Sequence, residues 1–139
     1  MRKRTLSREI ALKILYACDI TKDSITECSK VFWENSDKRD ETVKKYSEIL
    51  ITGFGSNKEK IDEVISKYAK NWKLNRMATV DRNILRIAAY ELLFSEEVPP
   101  KVAINEAIEM AKKFGDNDSS KFVNGLLDKI NKTHNTSEK

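Results

Sequence analysis

Apolar side chains recur every three or four residues through almost the whole chain, and this rhythm constrains the fold more than any other feature. In the opening segment Leu6, Ile10, Ile14 and Ala17 form one stripe, widened by Ala11, Leu15 and Cys18. That spacing lines one face of an α-helix, whereas a half-buried strand alternates with period two. The same rhythm predicts helices over 7–20, 24–35, 41–54, 79–94 and 101–114, one through Ile61, Val64, Ile65, Tyr68 and Trp72, and one through Phe122, Val123, Leu126, Leu127 and Ile130. No stretch reads as a strand. With only 4 Gly and 2 Pro in 139 residues, the chain has too few turn formers for an all-β fold. The expectation is one all-α domain of seven helices.

The breaks between helices have their own chemistry. Gly53 and Gly55 are expected to end the third helix through a left-handed backbone, and Ser56 with Glu59 to form a capping box for the fourth. Thr79 can cap the fifth helix, with Asp81 facing the positive end of its dipole. The EEVPPK stretch forces an extended turn, Gly115 stops the sixth helix, and Asp118 and Ser119 are cap candidates for the seventh. Gly125, inside that last helix, suggests the close approach of a neighbouring backbone. Residues 1–6 read as a basic N-terminal arm, 7–131 as the helical domain and 132–139 as a flexible C-terminal tail.

Charge is distributed unevenly. Arg2, Lys3, Arg4, Arg8 and Lys13 face only Glu9 within the first 13 residues, a surplus equal to the net +4 of the whole chain. A polyanion would be drawn to that end. Helical spacing puts Arg4, Arg8 and Leu12 on one face with Tyr16 a turn further on, so cations and an aromatic ring are expected to share a surface.

Several chemistries are excluded. The only histidine, His134, lies in the polar tail, away from any Ser-His-Asp or Cys-His arrangement and from the common Cys/His zinc sites. Neither GxxxxGK[ST] nor GxGxxG occurs, so no nucleotide loop or other cofactor is expected. Cys18 and Cys28 sit in apolar helical patterns and read as reduced structural thiols. The pairs Glu96/Glu97 and Glu106/Glu109 read as solvated helix faces rather than catalytic carboxylates. No apolar run approaches the roughly 18 residues of a membrane span, and no signal-peptide core is present, which points to the cytoplasm.

Four segments taken in order, ALKILYACD, DRNILRIAAYEL, VAINEAIEMAKKFG and DSSKFVNGLLDKI, resemble the NusB family of bacterial transcription antitermination factors from Arg8 to about Ile130. The resemblance implies two small helical bundles packed together and no catalytic activity. It also implies binding of boxA-type single-stranded leader RNA together with the ribosomal protein NusE, within the Nus-factor complex on RNA polymerase. A helical adaptor that binds only protein, or a homodimer that masks its RNA face, is the alternative.

Carried over to this chain, the resemblance gives RNA contact to Arg2, Lys3, Arg4 and Arg8, and to Asp118, Ser119, Lys121 and Phe122 in the turn before the last helix. Free amides at a helix start and a lysine attract phosphate, while Asp118 can accept from a base amino group. Tyr16 falls near both RNA and protein partner, and Asp81 and Arg82 at the surface for the ribosomal protein. Arg86, Tyr90, Glu91, Asn105 and Glu106 read as structural residues between helices.

Overall fold

The computed structural model describes residues 2–37, 40–70 and 72–135, and among these it is all-helical. The elements are α1 (Lys3–Thr21), α2 (Ile25–Glu34), α3 (Glu41–Ser56), α4 (Lys58–Tyr68), α5 (Thr79–Phe94), α6 (Pro100–Phe114) and α7 (Ser119–Ile130). A short 3-10 turn, Leu74–Arg76, lies between α4 and α5, and a π-type turn, Asn131–Asn135, extends α7. Helices α1, α2 and α3 pack as one group and α4 to α7 as a second; α5 lies against both α1 and α3 and joins them. The apolar stripes meet in one continuous core, in which Ile10, Leu50, Ile51, Ile61, Ile65, Ile84, Leu85 and Leu127 are completely enclosed. No helix among the described residues is long and apolar enough to cross a membrane.

The apolar periodicity located every helix, but several of the expected ends are corrected. Helix α1 begins at Lys3, so Lys3 to Leu6 are helical rather than an arm. Gly53 and Gly55 lie inside α3, and no described glycine has a positive φ. Ser56 is the last residue of α3 and Asn57 joins it to α4 without a side-chain cap, so the expected capping box does not form. Thr79 is the first residue of α5, and Ala78 occupies the cap position. Of the expected tail, residues 132–135 continue as a helical turn in which His134 meets the edge of Tyr68 at 5.5 Å; residues 136–139 lie outside the described residues. The caps that do form are Ser24, which accepts from the Glu27 amide, and Asp40, which accepts from Thr42 and Val43.

Two buried ion networks cross between α1 and α5. At one end the Arg8 guanidinium donates through Nε to both oxygens of Glu91, at 3.0 and 3.1 Å, and through Nη1 to Glu106 at 2.9 Å. The Tyr46 hydroxyl of α3 donates to the same Glu91 carboxylate. The side chains of Arg8 and Glu91 are only 4% and 1% exposed. Burial opposes the Arg8 charge, but the Glu91 hydrogen bonds and the surrounding carboxylates outweigh it and hold the guanidinium more firmly protonated than usual. At the other end Asp19 Oδ2 accepts from Arg82 at 2.9 Å, Asn83 at 2.9 Å and Arg86 at 3.2 Å, and Arg86 also grips both oxygens of Asp62. Arg86 lies over Phe54 rather than Tyr90, and Glu91 serves Arg8: the expected structural roles stand with different partners. Removing one member of such a buried pair costs about 3–5 kcal/mol, because the other charge is left uncompensated.

Cys28 is buried and Cys18 half-buried, with no disulfide between them. Burial and the neighbouring Cys28 push the Cys18 thiol up to about 12, so it stays protonated and unreactive at neutral pH.

The glycine expected to mark close packing is the wrong one. A Cβ on Gly125 would meet nothing within 4 Å, whereas one on Gly53 would lie 2.3 Å from the Tyr90 ring. Gly125→Ala is therefore expected to stabilise the protein by about 1 kcal/mol, the helix-propensity difference. Gly53→Ala is expected to destabilise it by displacing the Tyr90 ring. Urea unfolding of the two variants beside the parent protein reads both signs.

Candidate nucleic-acid interface

The basic residues of α1 divide into two sets. Arg2, Lys3 and Arg4 are exposed. Lys3 pairs with the cap residue Asp40 at 3.2 Å, and Arg4 pairs with Glu97 at 3.2 Å while lying 4.3 Å over the Tyr46 ring. Exposed pairs of this kind contribute about 0–1 kcal/mol, so a phosphate can displace either carboxylate at little cost. Arg8 is a correction: it was expected on the same basic face, but its guanidinium is consumed inside the protein by Glu91 and Glu106. Leu12 is buried as well, so the expected continuous face from Arg4 to Tyr16 is interrupted.

Tyr16 remains on the surface, 41% exposed, with its ring available to a partner. One turn back on α1, Lys13 points over Phe114 at 5.9 Å, and Lys113 of α6 approaches the same ring at 5.3 Å while donating to Glu9.

The turn between α6 and α7 is built on Asp116 and Ser119. The Asp116 amide donates to Ser119 Oγ at 3.0 Å, the Ser119 hydroxyl donates back to Asp116 Oδ1 at 3.2 Å, and the Asp118 amide donates to Asp116 Oδ1 at 2.9 Å. Ser119 is buried, so its expected RNA contact is corrected to a scaffold role. Asp118 sits at the cap position of α7 but makes no side-chain cap bond. Its carboxylate stays exposed, next to the exposed Lys121 and half-buried Phe122.

These residues border a groove of about 510 Å³ between the start of α5, the start of α7 and the connector before α5. Asp81, Asp118, Lys121 and Phe122, read separately from the sequence, come together here. Sequence reasoning missed Trp72, Arg76 and Met77, which line it with Ala78 and Asp116. Trp72 was read as part of the fourth helix's apolar stripe, but α4 ends at Tyr68 and the indole is 56% exposed, edge-on to Phe122 at 6.4 Å.

Asp81 and Arg82 have different fates. Arg82 turns inward, donating to Asp19 and to the carbonyls of Leu74 and Met77, which corrects its assignment to a partner surface. Asp81 is only 8% exposed, lines the groove, and leaves Oδ1 buried without a hydrogen-bond partner among the described residues. Burial pushes its carboxyl above the usual range; Ser119 opposes that shift and the nearby Asp116 carboxylate adds to it. No group of three or more His, Cys, Asp or Glu side chains among the described residues is placed to hold a metal ion.

The sequence pattern of the NusB family matches residues 5–132. The Bacillus cereus transcription antitermination protein NusB is 47% identical over 131 residues, covering 94% of this chain and 98% of that one. The corresponding protein of Trichlorobacter lovleyi is 43% identical over 127 residues, covering 91% and 89%. Among solved structures, T. maritima NusB superimposes with a TM-score of 0.87 at 37% identity, covering 99% of this chain and 96% of that one. A structure of the antitermination factors NusB and NusE in complex with double-stranded RNA superimposes with a TM-score of 0.88 at 29% identity, covering 96% and 99%.

Asp81 supplies a test of the groove's electrostatics. Its carboxyl binds a proton more readily folded than unfolded, so it weakens the fold above its folded pKa, and that penalty disappears as pH falls below the unfolded value of about 3.9. Asp81→Asn is expected to raise Tm at pH 7 and to leave it nearly unchanged near pH 3. Thermal melts at the two pH values check it; a lower Tm at pH 7 would contradict the assignment.

Proposed function

The chain belongs to the NusB family, and from that premise we propose that it is a non-catalytic transcription antitermination factor. It binds boxA-type leader RNA together with the ribosomal protein NusE and joins the Nus-factor complex on RNA polymerase in the cytoplasm. The observation that carries this reading is the shared groove: Asp118, Lys121 and Phe122 stand together at the start of α7. This places an exposed carboxylate, a cation and an aromatic ring within reach of one ligand. Single-stranded RNA is read by such a set, since unpaired bases offer faces for stacking and edges for hydrogen bonds. A related NusB is found with NusE and RNA in one crystal, which supports both partners.

Within this reading Arg2, Lys3 and Arg4 neutralise phosphates, and Tyr16 meets RNA or NusE at the adjoining part of α1. Asp81, given to the ribosomal-protein surface by the sequence, lines the same groove as Asp118, Lys121 and Phe122. Arg8, Ser119 and Arg82 act from inside, holding the elements that carry the contacting groups.

The test is a gel-shift titration of a boxA strand and a scrambled strand, each with and without NusE. Preference for boxA is expected, strengthened when NusE is present. Equal affinity for the two strands under both conditions would overturn the proposal.

A further inference from the structure

The connector between α4 and α5 holds a second concentration of charge. Lys67, Lys70, Lys73 and Arg76 lie within 64–80, a stretch without a single carboxylate. Lys70, Lys73 and Arg76 are exposed, and none of them makes an ion pair with another described residue. Trp72 and Arg76 form the wall shared by two grooves: the 510 Å³ groove toward α7, and another of about 420 Å³ that Lys70 and Lys73 also line. An exposed tryptophan thus stands among unpaired cations, edge-on to Phe122 across the first groove. The opposite wall of that groove is acidic, with Asp81, Asp116 and Asp118.

We propose that this connector is an additional single-stranded RNA contact, in which Trp72 stacks on a base, Lys70, Lys73, Arg76 and Lys121 neutralise the flanking phosphates, and Asp81 accepts a hydrogen bond from the base's amino group. The inference rests on the RNA-binding reading above and extends it from the α7 side of the first groove to its connector wall. The mixed charge of the groove selects the occupant. A basic peptide would meet Arg76 and Lys121 there, with Lys70 and Lys73 in the adjoining groove, and an acidic one would meet three carboxylates, whereas a nucleotide presents an anion on one side and N–H donors on the other. Stacking on an exposed ring between cations is the usual way of holding an unpaired strand. Asp81 Oδ1, buried and unpartnered, is the acceptor such a donor would satisfy. Cytosine, adenine and guanine carry the required amino group and uracil does not, so the connector should disfavour uridine.

Trp33 is the only other tryptophan, so Trp33→Phe leaves Trp72 as the sole indole reporter. The probe is a boxA strand with single-stranded flanks, titrated with NusE present at several salt concentrations. Its binding is expected to quench Trp72 emission. Trp72→Ala should weaken affinity about tenfold, with Trp72→Phe retaining most of it. Replacing Lys70, Lys73 and Arg76 together by Ala should flatten the slope of log affinity against log salt by about 2. Asp81→Ala, which removes the acceptor, should erase a preference for mixed-sequence over all-uridine flanks. Circular dichroism verifies that each variant is folded. If boxA binding persists while emission, affinity and salt slope stay at parental values, the connector assignment is overturned and the proposed function stands. Quenching by NusE alone, with no further change on adding RNA, overturns it in favour of a protein contact. Absence of RNA binding by the unsubstituted protein overturns both.

Discussion

The buried charges that tie α1 to α5 are the constraint on which the remaining geometry depends. Arg8 meets Glu91 near one end of the contact, and Asp19 meets Arg82, Asn83 and Arg86 near the other. Two such pairings, separated along both helices, fix the register: sliding one helix past the other by a turn would strand charges in the core at both ends. A buried ion pair is weak evidence for stability but well suited to specifying one arrangement among several apolar alternatives. Here the arrangement specified is the seating of the first helical group on the second, and with it the relation of Tyr16 to the α7 turn.

The same division of labour runs through the candidate interface. Polar groups that hold the frame turn inward and bond within the protein, as with Arg8, Arg82 and Ser119. Those left for a ligand are exposed and loosely paired, as with Lys3 and Arg4, or without an ion pair among the described residues, as with Lys70, Lys73 and Arg76. Asp81 belongs to neither class: it is buried without a partner for Oδ1, and its cost to the fold is the kind of strain found where a ligand completes the site.

Helix positions were legible because a 3.6-residue apolar rhythm is a local property. Helix ends were less so. Gly53 fits a helix stop by its chemistry, yet it sits within α3 because the Tyr90 ring occupies the space that a side chain there would need. Arg8 was misread for a related reason. Periodicity shows that Arg4, Arg8 and Tyr16 share a face, but not which part of it is covered, and the covering residues Glu91 and Glu106 lie 83 and 98 positions away. The connector was hidden by subtraction. Counting net charge credited all of it to the N-terminus, because acidic helices elsewhere cancelled Lys70, Lys73 and Arg76. A windowed count would have exposed the stretch without carboxylates, and Trp72 within it.

The claim that α1 separates structural from ligand-facing charge is tested most directly at Arg8. Replacing Arg8→Met together with Glu91→Gln removes the buried pair, leaves an amide oxygen to accept from Tyr46, and leaves Glu106 its hydrogen bond from Thr5. The measurement is the salt dependence of boxA RNA affinity for this folded double variant, with NusE present, beside the parent protein. The account predicts an unchanged slope, because Arg8 neutralises no phosphate. A slope shallower by about 0.7, the increment for one phosphate contact on a single strand, would contradict it and return Arg8 to the RNA-binding face.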